Sequence, residues 1–188
     1  MKKWILILAI SLFGINGFAQ FGVKAGANFA TLTGDDTEDA KMRVAFYAGV
    51  LYNIMINEMF SFQPELVYSS QGAKFEGSDD ARIVLNYLNL TGLFRYNTQS
   101  GFWLGTGPQF GLLLSAKGKQ GSASVDVKEF FKSTDIAWAF ALGYQLQSGL
   151  GFYARYNLGL GNIDDTGGKL KNSVIQAGLR YMINPQKK

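Results

Sequence analysis

Residues 60–72 alternate strictly between two kinds of side chain, and few folds accommodate that pattern. Apolar residues occupy one parity and mostly polar residues the other: Phe60, Phe62, Pro64, Leu66 and Tyr68 against Ser61, Gln63, Glu65, Val67 and Ser69. Successive side chains of a β-strand point to opposite faces, whereas a helix would spread these apolar positions around its circumference. The stretch therefore predicts a two-faced strand. At about 3.3 Å per residue, it is long enough to cross a hydrocarbon layer, which takes about 9–11 tilted residues.

The same alternation recurs in eight segments of the chain. They cover residues 21–31, 44–56, 59–71, 82–97, 101–116, 134–147, 149–161 and 172–183. Tight connections at 57–58, 97–100 and 147–149 alternate with longer polar ones at 32–43, 71–81, 117–133 and 161–171. Short periplasmic turns and longer outer loops are typical of outer-membrane barrels. The pattern predicts an all-β fold, an eight-stranded antiparallel up-and-down transmembrane β-barrel.

Proline inside a strand needs an explanation, because it donates no hydrogen bond to a neighbouring strand. Pro64 lies in the middle of the third segment and Pro108 in the fifth. A closed barrel has no free edge on which proline would be harmless. We therefore expect a local β-bulge at Pro64.

The N-terminal residues predict an export signal. Lys2 and Lys3 precede an apolar run over residues 4–13, and residues 17–19 end in the small side chain of Ala19. The run is too short to span a bilayer as a helix, which takes about 20 residues. We expect residues 1–19 to be a signal peptide and residues 20–188 to form one barrel domain, exported through the periplasm to the outer membrane of a Gram-negative bacterium.

The sequence contains neither cysteine nor histidine. A disulfide framework, a Cys/His metal site and a Ser-His-Asp arrangement therefore cannot be built. No pair of carboxylates lies convincingly on one lumen face, and no basic run with interleaved aromatics predicts nucleic-acid binding. We expect a monomer that is not an enzyme and binds no metal, cofactor or nucleic acid.

Parity assigns five charged side chains to the face with small and polar residues, which should line the lumen. They are Lys24, Glu65, Arg95, Arg155 and Arg180, and Asp135 could join them from a strand end. Because unpaired buried charge is costly, we expect several of them to pair across the barrel. One interpretation is a structural salt-bridge network in a narrow lumen, which has room for side chains or one small ligand. The other is a polar conduit or a ligand site.

The longest loop, residues 117–133, carries four apolar residues that are candidates for contact with a protein partner: Val125, Val127, Phe130 and Phe131. Recognition usually lies in exposed loops, although packing of this loop over the barrel mouth would explain the same residues.

Acidic residues crowd two other loops: Asp35, Asp36, Glu38 and Asp39 in the first, and Asp164 and Asp165 in the last. Solvated loop charge explains them. A sharper hypothesis is divalent-cation bridging to the anionic headgroups of outer-membrane lipid and lipopolysaccharide.

Four short motifs carry a family resemblance. They are Phe-Gly-Val-Lys-Ala-Gly at 21–26, Phe-Gln-Pro-Glu-Leu at 62–66, Ala-Arg-Tyr-Asn-Leu-Gly-Leu at 154–160 and Gln-Ala-Gly-Leu-Arg-Tyr at 176–181. The chain resembles the PorT-like outer-membrane β-barrel family, small barrels of the OmpX and OmpA kind. The resemblance implies the barrel fold and insertion by the barrel assembly machinery, and it says little about activity. The chain departs from the family pattern in one respect: members usually end on an aromatic residue, whereas here residues 184–188 follow the last segment.

The alternation is compatible with three functions. We favour a small outer-membrane barrel with a structural or interaction role carried by its extracellular loops. A component of a transport or secretion system, or a narrow pore, would need a hydrated lumen or a periplasmic partner. A secreted lipocalin-like ligand carrier would need the apolar face to point inward.

Overall fold

The computed structural model describes residues 19–35, 37–75 and 81–183 of the 188-residue chain. Within those ranges the chain forms nine strands and one 3₁₀ turn at Lys128–Phe130. The strands are β1 Ala19–Gly34, β2 Ala40–Met55, β3 Phe60–Phe75, β4 Arg82–Asn97, β5 Phe102–Gln120, β6 Ala123–Asp126, β7 Thr134–Gln145, β8 Leu150–Gly159 and β9 Leu170–Ile183. No described helix has the length and apolar character needed to cross a membrane. Residues 1–18 of the predicted signal peptide and the tail at 184–188 lie outside the described residues.

Eight of the strands close into a barrel. Hydrogen-bonded neighbours follow the order β4-β3-β2-β1-β9-β8-β7-β5, and β4 also pairs with β5, which completes the ring. All of these pairings are antiparallel. The predicted eight-stranded antiparallel barrel is therefore confirmed. The short strand β6 pairs with the end of β5 and extends that hairpin beyond the barrel.

Parity separates the two faces of the barrel wall. In β7 the alanines at 137, 139 and 141 are buried, whereas Ile136, Trp138 and Phe140 are exposed. The second segment, in which both faces are apolar, turns Tyr47 and Leu51 inward and Phe46 and Val50 outward.

Bulky apolar side chains thus form a belt around the outside of the barrel, including Phe46, Leu66, Leu90, Phe94, Phe110, Phe140, Phe152, Ile175 and Leu179. So large an apolar surface belongs in hydrocarbon rather than in water. The outward direction of the apolar face contradicts the lipocalin-like alternative.

Among the described residues the strand register shifts at two places, neither of them at a proline. The β2–β3 register shifts between Met42 and Tyr47, and the β4–β5 register shifts between Asn86 and Tyr87. The bulge expected at Pro64 is wrong, because the β2–β3 register is the same on both sides of it, at Leu51↔Glu65 and Ile54↔Phe62. Pro64 has no N–H group to donate, so the hydrogen-bond ladder between β2 and β3 is interrupted locally, but no extra residue is inserted in either strand.

Glycines make room for large side chains inside the lumen. Gly26 and Gly178 pair with each other across β1 and β9, and a Cβ atom on either would collide with the Tyr47 hydroxyl. Gly143 lies against the Trp103 ring in the same way, with Trp103 Cζ2 2.6 Å from an added Cβ. Each inward aromatic ring thus occupies the space left free by the missing side chain of a glycine on a nearby strand.

Replacing Gly178 with alanine should destabilise the barrel. The added Cβ would meet the Tyr47 hydroxyl and the Ala25 carbonyl oxygen, and the backbone atom cannot rotate away. Overpacking of this kind costs about 1–3 kcal/mol, which a lower midpoint of urea-induced unfolding would report. Gly118→Ala is the matched control, because its Cβ would lie 3.5 Å from Val127 Cγ1, an ordinary contact. Equal midpoints for the two variants would contradict this account.

Candidate functional site in the barrel lumen

The five charged residues assigned to the lumen by parity come from five different strands and lie in the half of the barrel near the short turns. Lys24 on β1 pairs in register with Arg180 on β9. Glu65 is on β3, Arg95 on β4 and Arg155 on β8. All five are buried, with at most 4% of each residue exposed. The structure therefore brings these five residues into one region.

Glu65 is the centre of a tight ionic cluster. Lys24 Nζ donates a hydrogen bond to Glu65 Oε2 at 2.9 Å. Arg155 Nη2 donates to Oε1 at 2.8 Å and to Oε2 at 2.7 Å. Three strands, β2, β1 and β9, separate β3 from β8 along that side of the ring, so the Arg155–Glu65 contact crosses the lumen. The carboxylate thereby ties opposite walls of the barrel together.

An amide connects this ionic cluster to the next arginine. Gln63 Nε2 donates to Glu65 Oε1 at 2.5 Å, and Gln63 Oε1 accepts from Arg95 Nη1 at 2.6 Å. Arg95 Nη1 also lies 3.2 Å from Asn53 Oδ1. Arg95 is thus held by neutral amide oxygens, and among the described residues it forms no ion pair.

The ring of Trp103 lies against the guanidinium groups of two of the arginines. The Arg95 guanidinium carbon is 4.1 Å from the centroid of the Trp103 ring, and that of Arg180 is 5.3 Å away. Arg180 Nη2 lies 3.0 Å from Met182 Sδ. Cation–π contacts of this kind are worth about 2 kcal/mol or more when water is excluded. They offset only part of the cost of burying two cations that pair with no carboxylate in the described part of the chain.

Aromatic rings also surround Lys24, and sequence reasoning missed this role. Lys24 Nζ lies 4.3 Å from the Tyr153 centroid and 5.7 Å from the Tyr47 centroid. Tyr153 has the same parity as Arg155, and that is the one signal by which it could have been found. Parity places a residue in the lumen but does not say which ring meets which cation.

Asp135 lies apart from the ionic cluster. It is the second residue of β7, near the long-loop end of the barrel, and it accepts a hydrogen bond from Asn172 Nδ2 at 2.9 Å. Between it and the charges lies a layer of amides, in which Gln176 Nε2 donates to Asn28 Oδ1 at 2.8 Å and Asn28 Nδ2 donates to Ser69 Oγ at 2.9 Å. Polar side chains thus fill the middle of the lumen.

An apolar cap closes the long-loop end. Its buried members are Leu32, Ala73, Leu85, Tyr87, Leu113, Ala116, Phe131 and Ile163. Two loops are joined above the barrel mouth, since Lys132 N donates to Ile163 O at 2.8 Å and Asp165 N donates to Phe130 O at 3.1 Å. The end of the longest loop, at residues 130–132, therefore folds over the mouth.

The four apolar residues of the longest loop that are candidates for partner contact differ in their burial. Val125 and Phe130 are exposed, at 64% and 47%. Phe131 is buried at 8% and belongs to the cap, and Val127 packs against it. Because it is buried, Phe131 is unavailable to a partner. For this residue the structure agrees with the alternative interpretation, in which the loop packs over the barrel mouth.

Two of the acidic loop residues, Asp35 and Asp164, accept hydrogen bonds from other loop residues. Asp164 accepts from the Thr166 hydroxyl at 2.9 Å and from Gly168 N at 2.7 Å, and these bonds, led by that of Thr166, hold the pKa of Asp164 below its usual range. Asp35 Oδ2 accepts from Lys169 N at 3.0 Å. Asp36 lies outside the described residues. Across the part of the chain that the structure describes, no three acidic side chains are grouped as metal ligands would be.

Replacing Glu65 with glutamine should strongly destabilise the barrel. The substitution keeps the shape but leaves Lys24 and Arg155 as buried cations without a counter-charge. Breaking a buried pair in this way costs about 3–5 kcal/mol. The temperature at which the folded band is lost on a heat-modifiability gel should fall accordingly.

Glu58→Gln is the control for that experiment. Glu58 lies exposed in the turn between β2 and β3, and its replacement should change stability by less than about 0.5 kcal/mol. Unchanged resistance to unfolding in Glu65→Gln would show that the ionic cluster does not stabilise the barrel.

Three comparisons with known proteins bear on this architecture. Residues 15–165 match the model of a family described as outer membrane protein beta-barrel domain. No curated protein sequence matches the chain significantly.

Solved structures share the fold at low sequence identity. Ail, the attachment invasion locus protein of Yersinia pestis, is 15% identical, with 90% of this chain and 100% of Ail covered at a TM-score of 0.54. Neisserial surface protein A is 19% identical, with coverage of 88% and 99% and a TM-score of 0.55. These similarities concern the fold alone.

Proposed function

The chain belongs to the outer membrane protein beta-barrel domain family and lies in the outer membrane of a Gram-negative bacterium, and from this we propose that it is a non-conducting anchor for an extracellular contact surface. In this proposal the barrel holds the loops in place and the loops bind a protein partner. The closed outer mouth, with Phe131 and Ile163 buried in the cap, is the observation that carries the proposal.

The contents of the lumen support an anchor rather than a pore. The apolar cap, the layer around Asn28 and the ionic cluster of Glu65 fill successive levels of a narrow barrel. A hydrated path would have to displace buried, hydrogen-bonded groups at each level, which is costly. The transport or pore alternative is accordingly the weaker one.

The hairpin of β5 and β6 supports a contact role for the longest loop. Strand β5 continues to Gln120, beyond the end expected at residue 116, and β6 pairs with residues 117–120. The hairpin therefore presents Val125 outside the barrel, and the adjoining 3₁₀ turn presents Phe130. We propose that these two exposed apolar side chains contact the partner.

The finer assignments are part of the same proposal. The four short motifs support membership of the PorT-like group and insertion by the barrel assembly machinery. The lysines and apolar run at the N-terminus support a cleaved signal peptide at residues 1–19. The lack of histidine and cysteine supports a protein without catalytic activity.

Purified protein reconstituted in planar lipid bilayers should give no steady single-channel conductance. The reason is that side chains fill the lumen at the level of Glu65 and Phe131 closes its outer mouth. A porin reconstituted in the same way serves as the positive control. Steady, voltage-independent openings from the folded protein would overturn the anchor and favour the narrow pore.

Site-specific photocrosslinking on living cells tests the contact surface. With a photoreactive phenylalanine derivative in place of Phe130, we expect a crosslinked protein product of defined size. Phe110 is the matched control, because it is an aromatic residue of similar exposure in the outward apolar belt and should crosslink to lipid alone. Identical product patterns from the two positions would contradict the proposed contact surface.

A further inference from the structure

A cavity of about 550 Å³ opens at the short-turn end of the lumen. Its walls include Asn53, Arg95, Trp103, Gln145, Arg180 and Met182. Short turns of outer-membrane barrels face the periplasm, so this cavity opens to the periplasm while the apolar cap closes the outer end. Small-molecule sites commonly have volumes of about 300–1,000 Å³, and the cavity falls within that range.

Charge is unbalanced next to this cavity. Among the described residues, four buried cations, Lys24, Arg95, Arg155 and Arg180, accompany one buried carboxylate, that of Glu65, in this half of the lumen. Lys24 and Arg155 both form ion pairs with that carboxylate. Among the described residues, Arg95 and Arg180 form no ion pair. Glu58 also lines the cavity, but it lies exposed on a turn where water screens its charge.

Both arginines have hydrogen-bond donors without a partner. Arg95 Nε, Arg180 Nε and Arg180 Nη1 have no acceptor among the described residues, although the two residues are only 4% and 3% exposed. Both guanidinium groups also lie against the same Trp103 ring, so like charges are held near each other. Buried charges of this kind normally have a partner, because leaving them unpaired costs several kcal/mol per ion.

We propose that the cavity binds a small anion from the periplasm through a phosphate or carboxylate group held by Arg95 and Arg180. Planar guanidinium groups match the oxygens of carboxylates and phosphates, and charge-assisted bonds of this type are stronger than neutral ones. Gln145 Oε1, a buried acceptor without a partner among the described residues, would accept a hydrogen bond from a hydroxyl or amino group of the same molecule. The ligand class is therefore a small polar molecule with one anionic group.

Calorimetric titration of the folded barrel in a neutral maltoside detergent tests this site with inorganic phosphate and, separately, acetate. Chloride at matched ionic strength is the reference. We expect saturable binding of at least one anion to the wild-type barrel. Arg180→Gln and Arg95→Gln should weaken it at least about tenfold, because each removes charged hydrogen bonds. Lys117→Gln, the same change of charge at the exposed outer hairpin, should leave binding unchanged.

Urea unfolding supplies a second readout. In anion-free buffer Arg180→Gln should unfold at a higher urea concentration than wild type, since an unpaired buried charge is removed. Phosphate or acetate should raise the wild-type midpoint and leave that of Arg180→Gln unchanged. If Arg180→Gln does not fold, Arg180→Lys keeps the charge without the planar donors and should fold but bind the anion more weakly.

Three results would overturn the proposal. They are no binding of either anion to the wild type, equal binding to Arg180→Gln, or an identical response to chloride, which would indicate screening alone. Micelles doped with phosphatidylglycerol separate a free anion from a lipid headgroup. Binding that appears only with this lipid would assign the arginines to the membrane and reject the soluble ligand.

Discussion

Every backbone N–H and C=O group that crosses hydrocarbon must find a hydrogen-bond partner within the protein, because lipid offers none. Strands satisfy this requirement only when their sheet closes, and the β4–β5 pairing closes this one. Closure with eight strands leaves a lumen wide enough for side chains and little else. Apolar side chains then face the lipid, and the charged and amide groups of the other parity must be accommodated within that narrow interior.

The charged side chains of the lumen differ in the partners that they have. Glu65 accepts hydrogen bonds from Lys24, Arg155 and Gln63, and it thereby links walls that are not neighbours in the sheet. Arg95 and Arg180 instead lie on Trp103, with amide or thioether contacts, and no carboxylate of the described residues pairs with them. In one part of the cluster the cations thus share the carboxylate of Glu65, and in the other part the cations have no carboxylate partner among the described residues.

The two ends of the barrel also differ from each other. The outer end is closed by apolar packing and by backbone bonds between two loops, which places Val125 and Phe130 on the outside. The inner end has short turns, an open cavity and the arginines with unused donors. We propose recognition of a protein partner at the outer end and of a small anion at the inner end, and the filled lumen between them separates the two sites.

Much of this architecture could be predicted from the sequence, because the alternation of faces along a strand is a local property. The period of two determined the eight strands, the direction of their side chains and the presence of Lys24, Glu65, Arg95, Arg155 and Arg180 in the lumen. Only the tertiary structure decided which of these groups meet. Glu65 and Arg155 are 90 residues apart in the chain, and their contact depends on barrel closure and strand register. The same holds for Phe131, since its burial requires Ile163 from a different loop.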